Sequence, residues 1–228
     1  MKKRGMAALL ALVMLLSCLP GIAWAQEDAG GAGTLPSEEE AVYIRSAEDW
    51  TAYAEAHEAG TATKTTLVLA EDIDLGELSV FLGSTSKNVF TGTIYGNGHK
   101  ISYTANADSG AAALILYAED VTISGLQVDA KITATSGDST VRSGLIGTVA
   151  SSSAAKLTDC TVNLTLTATS GRCGAFVGLA DSGSTLTMTN CKATGSMTFG
   201  ALGSSGAGGL VGKCSAAKME NCTNEVSI

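Results

Sequence analysis

From Val162 to Thr167 apolar and polar residues alternate one for one, Val162, Leu164 and Leu166 being interleaved with Asn163, Thr165 and Thr167. A two-residue period belongs to a strand with one buried face and excludes a helix there. The stretch "TLTMTN" repeats the pattern with Leu186 and Met188 inward, and its threonines favour a pleated surface. Between Met188 and Cys191 the inward spacing changes from two to three, which requires a bend.

The pattern recurs at a fixed distance. Leu157, Met188 and Met219 lie 31 residues apart, as do Cys160, Cys191 and Cys222, and Leu164, Gly195 and Val226. A weaker copy precedes them by 34 residues, matching Ile123, Leu126, Val128, Ala130 and Ile132 to Leu157, Cys160, Val162, Leu164 and Leu166. Periods of 20 to 50 residues mark stacked architectures. Each unit is expected to hold three short strands: one of the "GLIG" type, one before the cysteine and one after it. Strand, bend, strand and looped return make one coil, so the expected fold is an all-β parallel β-helix. The repeats are placed at 110–142, 143–173, 174–207 and 208–228, within a β-helix spanning 79–228.

One helix is expected ahead of the stack. Ser46 can cap it with Asp49 at the third position, Trp50, Tyr53, Ala54 and His57 share a face, and Gly60 ends the run. Solenoids need atypical terminal caps, and Trp50 with its neighbours is the anchor expected for a cap over 42–78. His57-Glu58 begins like a zinc-protease HExxH, but Thr61 stands where the second histidine belongs.

The columns carry the candidate chemistry. Cys160, Cys191 and Cys222 read as small buried residues at a corner of the coil. Cys173 and Cys214 lie elsewhere, and the odd count of five argues against a closed disulfide framework, although a Cys173–Cys214 or Cys191–Cys222 bond stays open. Asp159, Asn190 and Asn221 read as turn residues that tolerate left-handed backbone. Gly147, Gly178 and Gly212, with Gly144, Gly174, Gly208 and Gly209, read as close approaches and bends between coils. The acids Asp129, Asp138, Asp159, Asp181, Glu220 and Glu225 fall at different coil positions. No catalytic residue, metal site or cofactor is expected.

The N-terminus sets the compartment. A basic start, an apolar run over 6–16 and "AWA" ending at Ala25 describe a signal peptide over 1–25. A competing pattern, "LLSC" at 15–18, resembles a lipoprotein processing box with Cys18 lipidated. Residues 26–41, Gly-rich and then acidic, read as a flexible linker. The whole chain of 228 residues carries formal charge −8, and losing Lys2, Lys3 and Arg4 with the signal takes it to −11. Such a chain repels nucleic-acid phosphates and anionic lipid, and no membrane insertion is expected after cleavage.

"LAEDIDL" at 69–75, "FTGTIYGNGHKIS" at 90–102 and the "GGLVG…NC" repeats together resemble bacterial secreted proteins with GLUG-motif repeats, over roughly 42–228. The resemblance implies a right-handed β-helix and a role as an accessory part of large surface proteins, adhesins and immunoglobulin-cleaving metallopeptidases among them. It carries no catalytic residue over. Tyr95 departs from the Asp usual in "DGNGH", and 110–116 is a poor first copy.

The expected function is a non-catalytic secreted or cell-surface module for adhesion or ligand binding, its partner a glycan or host extracellular-matrix protein. The stacked loops 134–142, 168–173 and 200–207 are the candidate binding surface. Ile228 ends within a strand, so the chain is expected to be part of a longer surface protein, with end-to-end self-association through the C-terminal coil a further expectation. The alternative is a carbohydrate-active enzyme, a polysaccharide lyase or glycoside hydrolase on the same scaffold. A third class, an outward threonine array of Thr133, Thr167 and Thr198, is small.

Overall fold

A computed structural model describes residues 34–107, 110–134, 140–200 and 206–228. The signal segment with Ala25 and Cys18, the first part of the linker, and the loop tips 135–139 and 201–205 lie outside the described residues.

The alternating segments form strands that stack in parallel. The chain opens with β1 (Val42–Ile44), the single helix α1 (Ala47–Glu58), β2 (Thr66–Leu69), β3 (Ile73–Glu77), β4 (Phe90–Tyr95) and β5 (Lys100–Asn106). A long β6 (Ile115–Ser124) and β7 (Gln127–Ala134) follow. The next coil holds β8 (Val141–Ser143), β9 (Ile146–Val149), β10 (Ala154–Thr158) and β11 (Thr161–Ala168). It is copied by β12 (Arg172–Gly174), β13 (Val177–Ala180), β14 (Thr185–Thr189) and β15 (Lys192–Phe199), and again by β16 (Ala207–Gly208), β17 (Val211–Lys213), β18 (Ala217–Glu220) and β19 (Thr223–Ser227). Each of the last three coils therefore has four strands rather than three, because the return segment, "VRS" in one coil and "RCG" in the next, pairs as a third sheet β8–β12–β16. Three residues are too few to show an alternation in sequence.

The first sheet runs β1–β2–β4–β6–β10–β14–β18 with β9, β13 and β17 attached, and the second runs β3–β5–β7–β11–β15–β19. Register follows the repeat. Leu157 lies between Ile123 and Met188, and Leu164 between Ala130 and Gly195. The weak first copy belongs to the stack too, with Ile115 beside Ile146. Inward residues of successive coils make one continuous core in which Ile123, Leu157, Met188, Val162, Leu164 and Phe176 are fully buried.

At the bend the backbone turns left-handed. Gly125, Asp159, Asn190 and Asn221 have φ of 60°, 54°, 54° and 53°, a conformation open to Gly and next most readily to Asn and Asp. The side chains also bond along the axis: Asn190 Nδ2 donates to Asp159 Oδ1 at 2.8 Å, and Asn221 Nδ2 to Asn190 Oδ1 at 3.2 Å. Beside them Cys160 and Cys191 are buried and Cys222 half-buried, and all five described cysteines are free thiols.

Gly147, Gly178 and Gly212 do not make the bends between coils; they lie inside β9, β13 and β17. What they supply is clearance. A Cβ on Gly147 would stand 2.7 Å from the Leu116 carbonyl oxygen, and one on Gly178 2.2 Å from Val141 Cγ1. On Gly212 it would meet Gly178 O at 2.6 Å.

At the N-terminal end α1 begins at Ser46, whose hydroxyl accepts from the Asp49 amide, while Asp49 Oδ2 accepts from the Arg45 amide. Trp50, Tyr53 and Ala54 are buried against the core. Residues 37–41, expected as flexible linker, are folded onto this end: Ala41 is buried, Lys64 Nζ donates to the carbonyls of Glu38 and Ala41, and Tyr43 Oη donates to Pro36 O.

Candidate ligand-facing surface

The outward positions of the second sheet stack as strictly as the inward ones. Ser102, Asp129, Asn163, Thr194 and Glu225 form one row along the solenoid axis. Thr104, Lys131, Thr165, Ser196 and Ser227 form the next, and Thr133, Thr167 and Thr198 a third. Strand spacing places neighbours within a row about 4.8 Å apart. The first row is tied together by side chains: Asn163 Nδ2 donates to Asp129 Oδ1 at 3.1 Å, and Thr194 Oγ1 to Asn163 Oδ1 at 3.3 Å. Ser102 Oγ makes a separate bond to Asp74 Oδ1 at 3.0 Å. These bonds join polar side chains of neighbouring coils along the outer face.

Toward the N-terminal side the face dips into an open depression of about 350 Å³ lined by Glu77, Thr104, Ala105, Asn106, Lys131 and Thr133. It brings one carboxylate and one ammonium group beside hydroxyl and amide groups. Neither Glu77 nor Lys131 stands out in sequence, because β3 and β7 become neighbours of one site only once β5 is laid between them.

The other acids are dispersed. Asp159 sits at the bend and Asp181 in a turn, where Ser151 Oγ donates to its Oδ2 at 3.0 Å. Glu225 pairs with Lys192 at 2.9 Å and Glu220 with Lys218 at 3.0 Å. Asp138 lies outside the described residues. Among the described residues no three His, Cys, Asp or Glu side chains come together as a metal site.

The loop corner, expected to bind, is described only in part. Of 168–173, Ala168, Gly171 and Cys173 are buried, and the Ser170 carbonyl accepts from Arg142 Nη1 at 2.7 Å. Arg142 is fully buried in β8, and its Nη2 donates to the Ala107 carbonyl at 3.4 Å. One guanidinium thus ties the return segments of neighbouring coils together. An arginine among short polar residues gives no sequence signal for such burial.

His57 packs between Tyr53 and Phe90, its ring centroid 6.5 Å and 5.8 Å from theirs. Burial lowers its pKa below the ordinary 6.5, against smaller opposing effects of the Val89 backbone and Glu58. Glu58 Oε2 accepts from Ser84 Oγ and, at 2.9 Å, from Asn88 Nδ2. The pair latches the 84–90 segment to the end of α1. No family model, curated protein or solved structure matches this chain.

Proposed function

We propose that the chain is a non-catalytic binding module, secreted or held at the cell surface, whose ligand lies along the outward face of the second sheet. The observation that carries this reading is the set of in-register rows of hydroxyl, amide and charged groups across β5, β7, β11, β15 and β19. A rigid grid loses little side-chain entropy on binding, and its axial spacing suits an extended polymer with repeating polar groups. A glycan or an extended segment of a matrix protein has that character. The leader-like N-terminus and the resemblance to GLUG-repeat proteins support a location outside the cell. The site moves from the loops to the sheet because the described part of the loop corner is pinned by Arg142.

The test is a screen of the purified chain against glycan and extracellular-matrix arrays, beside Lys131→Ala, Asn163→Ala and Thr165→Ala combined. Binding lost in the combined variant, with an unchanged melting temperature, supports the face. Binding retained there overturns it. The alternative, a carbohydrate-active enzyme, draws on the depression that holds Glu77 and Lys131. New reducing ends or unsaturated sugars from incubated polysaccharides, abolished by Glu77→Gln, would replace the binding reading with that one.

A further inference from the structure

The three corner cysteines form a file of thiols along the axis. Thr189 registers with Glu220 and Lys192 with Thr223, so Cys222 sits over Cys191 without offset, and the Thr223 amide donates to the Cys191 carbonyl at 2.8 Å. Each thiol occupies the same niche one coil on. Cys191 Sγ donates to Thr189 O at 3.4 Å and Leu157 O at 3.6 Å, and Cys222 Sγ to Glu220 O at 3.4 Å and Met188 O at 3.5 Å. Adjacent strands hold such Cα atoms about 4.8 Å apart, inside the roughly 4.4–6.8 Å range a disulfide spans.

We propose that Cys191 and Cys222 are a redox pair, which a low-molecular-weight disulfide converts into a cross-link between the coil of β14–β15 and that of β18–β19. Cys160 has the same register to Cys191, but access separates the two pairs. Cys160 and Cys191 are each 1% exposed in coils packed on both sides, out of a reagent's reach. Cys222 is half-buried, and all four residues of β18 are exposed, so a reagent can reach its thiol.

The chemistry is thiol–disulfide exchange. The Cys222 thiolate attacks one sulfur of the reagent and expels the other as a thiolate, leaving a mixed disulfide. The Cys191 thiolate then attacks Cys222 Sγ along the file, and the second reagent thiolate departs on the far side. The two protein thiols lose two electrons and two protons, and one reagent disulfide becomes two thiols. Cys191 is suited to the second step: its contact with the Cys160 thiol, aided by backbone groups and Cys222, lowers its pKa, while that same contact raises Cys160 and burial raises Cys222.

The test is to incubate the reduced, full chain with oxidised glutathione, alkylate the remaining thiols and map tryptic peptides without reduction. The expected product joins 173–192 to 219–228, with fragmentation placing the bond on Cys191 and leaving Cys173 alkylated. The thiol count falls by two per chain. Cys160→Ser leaves the cross-link in place, and Cys222→Ser abolishes it. A bond through Cys160 in peptide 157–172, a stable glutathione adduct on Cys222, or an unchanged thiol count each overturns the pairing.

Discussion

Gly195 lies directly over Leu164 with φ of 108°, and a Cβ placed on it would stand 2.2 Å from the Leu164 carbonyl oxygen. The smallest residue of the column therefore sits where a Cβ would have no room against the neighbouring coil. Gly195→Ala should lose about 1–3 kcal/mol from overpacking, read as a lower urea midpoint. An unchanged midpoint would show that the coils can part there at no cost.

Leu164 itself is fully buried, whereas its neighbour Thr165 is exposed on the outer face. Leu164→Ala should cost about 2–5 kcal/mol, the loss of a core leucine plus its cavity. Thr165→Ala should stay within about 0.5 kcal/mol of the parent, as surface changes do. Equal denaturation midpoints for the two would contradict the register.

Asn190 is held at φ 54° and takes part in the axial amide ladder. Glycine already serves at the matching Gly125. Asn190→Gly is thus expected to remain close to the parent in melting temperature, while Asn190→Val should lose about 1–3 kcal/mol by forcing a β-branched residue into left-handed backbone.

The folded state keeps His57 neutral more strongly than the unfolded chain does. Between the lowered folded pKa and the ordinary 6.5 the unfolded state binds more protons, so this stability is present above 6.5 and is lost as pH falls below it. Melting temperature followed from pH 7.5 to 5 should drop more steeply in the parent than in His57→Phe. Parallel curves would mean that the imidazole titrates without linkage to folding.

Trp50 and Tyr53 seal the core at the β1 end. A chain truncated to begin at Thr61 should expose apolar residues and strand edges there and associate, visible by light scattering. A monomeric truncated chain of undiminished stability would assign α1 some other role.

The stack was legible because burial repeats with the coil. Leu157, Met188 and Met219 share one inward position, so the period and the register are written in the same letters. The turn column was legible for the same reason, since left-handed backbone restricts its choice to Gly, Asn and Asp. What escaped notice has no period. The pinned turn at 37–41 depends on Lys64 reaching two carbonyls from elsewhere in the chain, and its acidic composition reads as solvated. Arg142 is a charged residue in the interior, where hydrophobic patterning predicts none. The depression between Glu77 and Lys131 depends on strands four apart in chain order.

The 31-residue spacing makes the coil an interchangeable unit at the level of the gene. Removing residues 161–191 would join Cys160 to Lys192, which already occupies the place after a cysteine, and the Leu157 and Asp159 columns would run on into the last coil. The product would be one strand spacing shorter, about 4.8 Å, with its core and its outer rows still continuous. Duplication of the same segment would lengthen the rod by an equal step. Recombination between the repeats can therefore adjust how many rungs the outer face presents, leaving the chemistry of each rung as it was.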